Sequence, residues 1–151
     1  MRGWVRGSIG GTDPFAGACY GSSVISIRQV REPGDAAIAS FAALQREVYF
    51  DSDLLLPGEL IPRLLGGDGG RHNLLLVAEE DGAVVAGAFF HYLGAPNCGF
   101  SSFLGVRAVA RGRGVARRLH EARFAALDAA AGREVAGVFI DVTAPERVAP
   151  E

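Results

Sequence analysis

Apolar positions along this chain change their period several times, and each change marks an element. Residues 24–30 alternate roughly every second position and are rich in β-branched side chains, which predicts a short strand. Glu32-Pro33-Gly34-Asp35 is a turn, with Asp35 placed to cap a helix. From 36 to 50 the spacing becomes three and four, through Ile38, Phe41, Ala42, Leu44, Val48 and Tyr49. That predicts a helix, which Asp51-Ser52-Asp53 breaks. A second helix is predicted from about Pro57, carrying Leu60, Ile61, Leu64 and Leu65 and stopping at Gly66-Gly67. Residues 66–70 read as a flexible loop. Residues 73–79 form a strongly apolar strand, Asp81-Gly82 a type I′ hairpin turn, and 83–92 the return strand. Gly94-Ala95-Pro96-Asn97 turns the chain into another strand, 99–106. Spacing by three and four returns in Val115, Leu119, Ala122 and Ala126, widened by Phe124 and Leu127. It predicts a helix over about 112–131 that Gly132 ends, with Arg117, Arg118, Glu121 and Arg123 toward water. Residues 135–142 are the last strand, and strand, helix and strand together make a right-handed parallel unit.

The totals narrow what such a chain can be. Its 151 residues suit one domain with a single core. Residues 1–23 are rich in Gly, Ser and small side chains. They carry Arg2 and Arg6 but no continuous apolar stretch, so they read as a poorly ordered extension rather than a signal peptide. Residues 24–151 form the domain, and Trp4, Phe15 and Tyr20 are free to dock on it. No apolar run reaches the length of a membrane span. A net charge of −2 argues against general nucleic-acid binding. An Arg-rich nucleic-acid-binding domain is a weak reading for a second reason: no array of aromatic side chains accompanies the Arg cluster. Cys19 and Cys98 are far apart and lack metal-ligand spacing, so unpaired thiols in a reducing cytosol are expected. All 15 basic residues are Arg, whose planar fork suits phosphate, and six of them lie between Arg107 and Arg123.

That concentration coincides with a glycine-punctuated turn. Ser101 to Arg118 reads strand, short link, Gly-rich turn, helix, which presents unpaired backbone N–H groups at a helix N-terminus. With the positive end of the helix dipole they form a site for phosphate. At Gly112 and Gly114 a Cβ would stand in the way of an anion approaching the backbone. The dinucleotide fingerprint G-x-G-x-x-G is not met, because Arg117 stands where the third Gly belongs.

The spacing Arg111-x-x-Gly114-x-Ala116, preceded by Leu104-Gly105-Val106, resembles the pyrophosphate-binding motif of the GCN5-related N-acetyltransferases. The hairpin from Val77 to Gly87 is similar to that family's central hairpin and lies in the right order upstream. The resemblance covers roughly 24–142. It implies an α+β, three-layer fold: a mixed, mostly antiparallel sheet with a splayed central parallel pair and helices on both faces. It also implies acetyl-coenzyme A in the cleft between the splayed strands and an N-acetyltransferase acting on a primary amine of a small molecule or peptide. Leu104 and Val106 would pair with the pantetheine arm. The N–H groups of Arg111, Gly112, Arg113, Gly114, Val115 and Ala116 would surround the pyrophosphate, and the side chains of Arg111, Arg113 and Arg117 would add charge. Arg107, Arg118 and Arg123 are read as solvated surface. No metal is implied. A cytoplasmic location is expected.

Acetyl transfer needs a neutral amine, an oxyanion stabiliser and a proton for the leaving thiolate. The backbone N–H near Leu104 could polarise the thioester carbonyl. The sequence does not identify the base: His91, Tyr92, Ser101 and Ser102 are candidates, each with a structural role to weigh against it. Glu79 and Glu80, beside the hairpin turn, are expected to be solvated. Asp51, Asp53 and Glu59 could attract a cationic amine, though turn formation and capping explain them as well. Relatives in that family continue after the last strand with a helix and two more strands, and that helix often supplies a Tyr as acid. This sequence ends nine residues after Val142 and has no Tyr after Tyr92. The alternative function is therefore a non-catalytic acyl-coenzyme A-binding module or an inactive truncated relative. An uncovered last strand also predicts association, most simply a homodimer.

Overall fold

The structure, a computed structural model, describes residues 23–49, 51–68 and 70–140. Most of the expected extension, with Trp4, Phe15, Cys19 and Tyr20, lies outside the described residues, as do Phe50 and positions 141–151.

Six strands form one sheet: β1 (Ser26–Val30), β2 (Gly66–Asp68), β3 (Arg71–Glu80), β4 (Ala83–Leu93), β5 (Cys98–Val106) and β6 (Val138–Ile140). Their order is β1-β3-β4-β5-β6, with β2 beside β3. β1 and β2 share one edge of β3, meeting residues 75–79 and 71–73 respectively. All pairs are antiparallel except β5–β6. The hairpin between β3 and β4 turns at Asp81 and Gly82, with φ of 50° and 79°. Positive φ at both positions is what a type I′ turn requires.

Helices cover both faces. α1 (Ala37–Val48) packs Ile38, Phe41 and Leu44 against Val77, Phe89 and Phe103. α3 (Val115–Ala131) lays Val115, Leu119 and Leu127 against Leu76, Ala88 and Phe90 on the other face. Each such side chain, fully buried, stabilises the fold by about 1.5–3 kcal/mol. With both faces covered, β4 is buried along nearly its whole length, which explains its almost unbroken apolar run. Asp35 starts α1 as expected, its Oδ1 accepting the Ala37 N–H at 2.9 Å.

Several expectations change. The second helix is a single turn, α2 (Ile61–Leu64), and residues 57–60 only lead into it. The presumed loop after it contains β2, because Gly66–Asp68 adds to the free edge of β3. α3 starts at Val115 rather than Gly112, because Gly112 and Gly114 both have φ of +73° and cannot extend a right-handed helix. A 3-10 turn at Ala108–Ala110 precedes them. Arg123 does not face water. It lies on the buried stripe between Leu119 and Leu127, 1% exposed. Glu79 and Glu80 are not simply solvated either: Glu79 pairs with Arg28, and Glu80 with Arg113.

Candidate cofactor cleft and acceptor pocket

β5 pairs with β6 only at Gly99, Phe100 and Ser101. Against β4 its register shifts between Phe89 and Phe90: Phe89 faces Phe103 and Phe90 faces Ser101, leaving Ser102 as the extra residue of a β-bulge. The bulge resets both the side-chain and the main-chain alternation. Ser101 and Phe103 would share a face in a regular strand. Here Ser101 meets Arg123 on the α3 side, while Phe103 packs with Phe41 under α1.

Beyond the bulge, the Arg107 N–H donates to Val85 O at 2.9 Å. Main-chain groups in an antiparallel strand point alternately to either edge. Gly105 and Phe103 therefore bond toward β4, and the N–H and C=O groups of Leu104 and Val106 point to the opposite edge. No strand occupies that edge among the described residues. The Arg111 Nε donates to Val106 O there at 3.1 Å.

The chain then turns through Gly112 and Gly114 into α3, a helix of 17 residues with no side-chain cap. Among the described residues, none of the N–H groups from Gly112 to Arg117 makes a hydrogen bond of normal geometry. An ordinary helix start leaves four donors orphaned, and here the preceding turn adds more. The Arg111 N–H differs, since it donates to Ala108 O at 3.2 Å. Among the described residues, a Cβ at Gly112 or Gly114 would meet no protein atom within 4 Å, so open space lies above the turn. Backbone conformation, rather than crowding by protein, is what requires glycine at both positions.

The Arg side chains of this segment are engaged with protein. Arg113 grips Glu80 with two bonds, 2.9 and 2.7 Å long. This contact, aided by the Ser23 hydroxyl, pulls the Glu80 carboxyl down to about 2. Arg117 pairs with Glu121 at 2.9 Å on the exposed side of α3. Arg118 donates to Ile25 O. Arg107 reaches Glu47 at 3.3 Å. Arg123 donates to Ser101 Oγ at 2.5 Å and also meets His120 Nδ1.

The four base candidates separate. Tyr92 and Ser101 face the α3 core, where Tyr92 donates to Asn97 Oδ1. His91 and Ser102 come together on the α1 side, Nε2 to Oγ 2.6 Å. They line a cavity of about 290 Å³ with Leu54, Leu55, Leu56, Arg71 and Phe103. Buried Gln45 holds the wall through two bonds to the Leu56 backbone. Burial, with help from the Arg71 charge, pushes His91 down to about 4. Asp51 caps the 3-10 turn at Ser52–Leu54 through its bond from the Asp53 N–H, the turn-forming role. Sequence reasoning missed Asn73 and Arg71, which reach His91 from β3. Only the strand register places them there.

Comparison with known proteins gives a consistent picture. A family model described as acetyltransferase (GNAT) family matches residues 25–149. Among solved structures, the chain is similar to an aminoglycoside acetyltransferase, HMB0005, from an uncultured soil metagenomic sample. The TM-score is 0.63 at 26% identity, over 82% of this chain and 83% of the other. A ribosomal-protein-alanine N-acetyltransferase from Brucella melitensis gives a TM-score of 0.57 at 21% identity, over 82% and 84%. The aminoglycoside N-acetyltransferase AAC(6′)-Iy, in complex with CoA, gives 0.58 at 20%, over 82% and 80%. The last two likenesses concern the fold. No curated protein matches.

Proposed function

The chain belongs to the acetyltransferase (GNAT) family, and on that premise we propose that it transfers an acetyl group from acetyl-coenzyme A to a primary amine of a small molecule or peptide. The run of N–H groups from Gly112 to Arg117 that lack a hydrogen bond of normal geometry among the described residues, with open space above both glycines there, carries the proposal. A diphosphate supplies the acceptors those donors lack, next to the positive end of a long helix. Leu104 and Val106 offer the adjoining free edge, on which an extended amide-bearing arm fits like an added strand. The Arg111 side chain on Val106 O would have to move aside or share that acceptor. Arg113 and Arg117 contribute field from their paired positions, a smaller part than free guanidiniums would play.

Acetyl-coenzyme A supplies the activated acyl group. The protein's part is to hold it, to present the Leu104 N–H toward the thioester carbonyl and to admit the amine. The cavity under α1 opens beside Ser102, two residues from Leu104, and suits the amine. Its described lining contains Arg71 and no carboxylate, which favours acceptors with one amine and an apolar body over polycations. The proposal extends to a cytoplasmic homodimer.

Calorimetry with coenzyme A on wild type and on Gly114→Glu tests the site. A carboxylate in the turn should weaken binding at least about 100-fold, because like charge meets a desolvated phosphate. Equal binding by two folded proteins would remove the site. Thiol release with an amine panel then separates an enzyme from a non-catalytic acyl-coenzyme A-binding module.

A further inference from the structure

We propose that Ser102, His91 and Asn73 form a relay that takes up the amine's proton during acetyl transfer, with the cavity above them as the acceptor site. The proposal rests on the acetyl-transfer reading and adds the base that the sequence left open. Its geometry fixes the direction of the relay. The Asn73 Nδ2 donates to Leu64 O at 2.6 Å, so the amide oxygen must face His91. That oxygen lies 2.6 Å from His91 Nδ1. A carbonyl oxygen only accepts, so Nδ1 carries the hydrogen and Nε2 carries the lone pair. The Arg71 guanidinium, 3.3 Å from Nδ1, can only donate and so makes no hydrogen bond to this tautomer; the shorter Asn73 contact decides it. Nε2 thus accepts the Ser102 hydroxyl hydrogen over 2.6 Å, leaving the Oγ lone pairs free at the cavity.

The bulge connects this relay to the cleft. The same extra residue that turns the Leu104 amide to the open edge sends the Ser102 side chain to the α1 face. Ser102 is exposed, whereas His91 behind it is 7% exposed. Both side chains line the cavity, and the hydroxyl is the more open of the two to a substrate there.

The step balances as follows. The amine nitrogen bonds to the acetyl carbon and the carbon–sulfur bond breaks. The nitrogen's proton passes to Ser102 Oγ as the hydroxyl's own proton passes to His91 Nε2. The thiolate takes a proton from solvent, and the imidazolium later returns one. A weak base suffices, because an amine already bonded to the acyl carbon is far more acidic than a free ammonium, whose pKa is about 10. His91 is the relay's proton acceptor, and Asn73 is a positioning residue that holds its tautomer. Among the described groups at His91, Arg71 on β3 is the charged one. Phe89 on β4 and Phe100 on β5 are neutral neighbours, as is Gln45 of α1 in the cavity wall.

The test is thiol release from acetyl-coenzyme A with hexylamine, benzylamine and alanine amide, beside calorimetry with coenzyme A. Ser102→Ala should lower kcat about 100-fold or more, the range of a lost general base, while coenzyme A affinity stays within about twofold. Ser102→Thr should restore most of the rate. His91→Gln should show a similar loss, and the double variant should be no worse than either single one, since the two act as a unit. A Ser102→Ala enzyme within about threefold of wild type would overturn the relay, and so would losses that multiply. Wild type that binds coenzyme A but acetylates none of the amines overturns the relay and leaves the coenzyme A site standing. Wild type that does not bind it overturns both.

Discussion

At His91 two effects act in the same direction. Burial penalises the imidazolium, and the Arg71 guanidinium repels it, so the pKa falls from 6.5 to about 4. The unfolded chain therefore takes up a proton here before the native one does. Stability is at its full value above pH 6.5 and declines as the pH falls toward 4. Glu80, and Asp35 beside Arg28, also have lowered values, but their contributions are lost only at more acidic pH. Thermal unfolding at pH 7.5 and pH 5 should thus show a drop that His91→Gln abolishes; an equal drop in the variant would assign the effect elsewhere. Arg123 is the opposite case, a buried cation that keeps its charge. Its place was legible, because it falls four residues from both Leu119 and Leu127. The residue type argued for water and the spacing for the core, and the spacing was right.

Elements were legible where the signal is local. Asp81-Gly82 announced its turn, and the three-and-four spacing of Phe41 and Leu44 announced α1. Gly66-Gly67-Asp68 gave no sign of β2, since pairing through backbone alone leaves no side-chain pattern. The bulge at Ser102 was hidden for a related reason: its effect depends on the opposing strand. The contact of His91 with Ser102, and with it half of the candidate site, therefore needed the register. The turn into α3 is the element whose glycine-dependent backbone the sequence announced most directly. Gly112→Ala and Gly114→Ala meet no atoms of the described residues, so each should lose only the left-handed backbone penalty, about 1–2 kcal/mol. For a domain of this size that lowers Tm by roughly 2–8 °C. A Tm unchanged in both variants would mean that the turn adapts without strain.

The whole sheet ends, among the described residues, on β6, where Phe139 and Ile140 are exposed. A homodimer that covers them should sediment at twice the chain mass, and Phe139→Glu should return it to a monomer. A wild type that is monomeric at high concentration would remove the dimer from the proposal. No described helix is long and apolar enough to cross a membrane. β5 has a different fate from β6. It is zipped to β4 on one side and, past Ser101, carries no strand on the other among the described residues. Such a half-finished ladder is sticky toward any extended peptide, including the unfolded segments of neighbouring molecules. Coenzyme A, bound along it as proposed, should therefore act as a guard against clumping. Light scattering during storage would show this as slower turbidity in its presence.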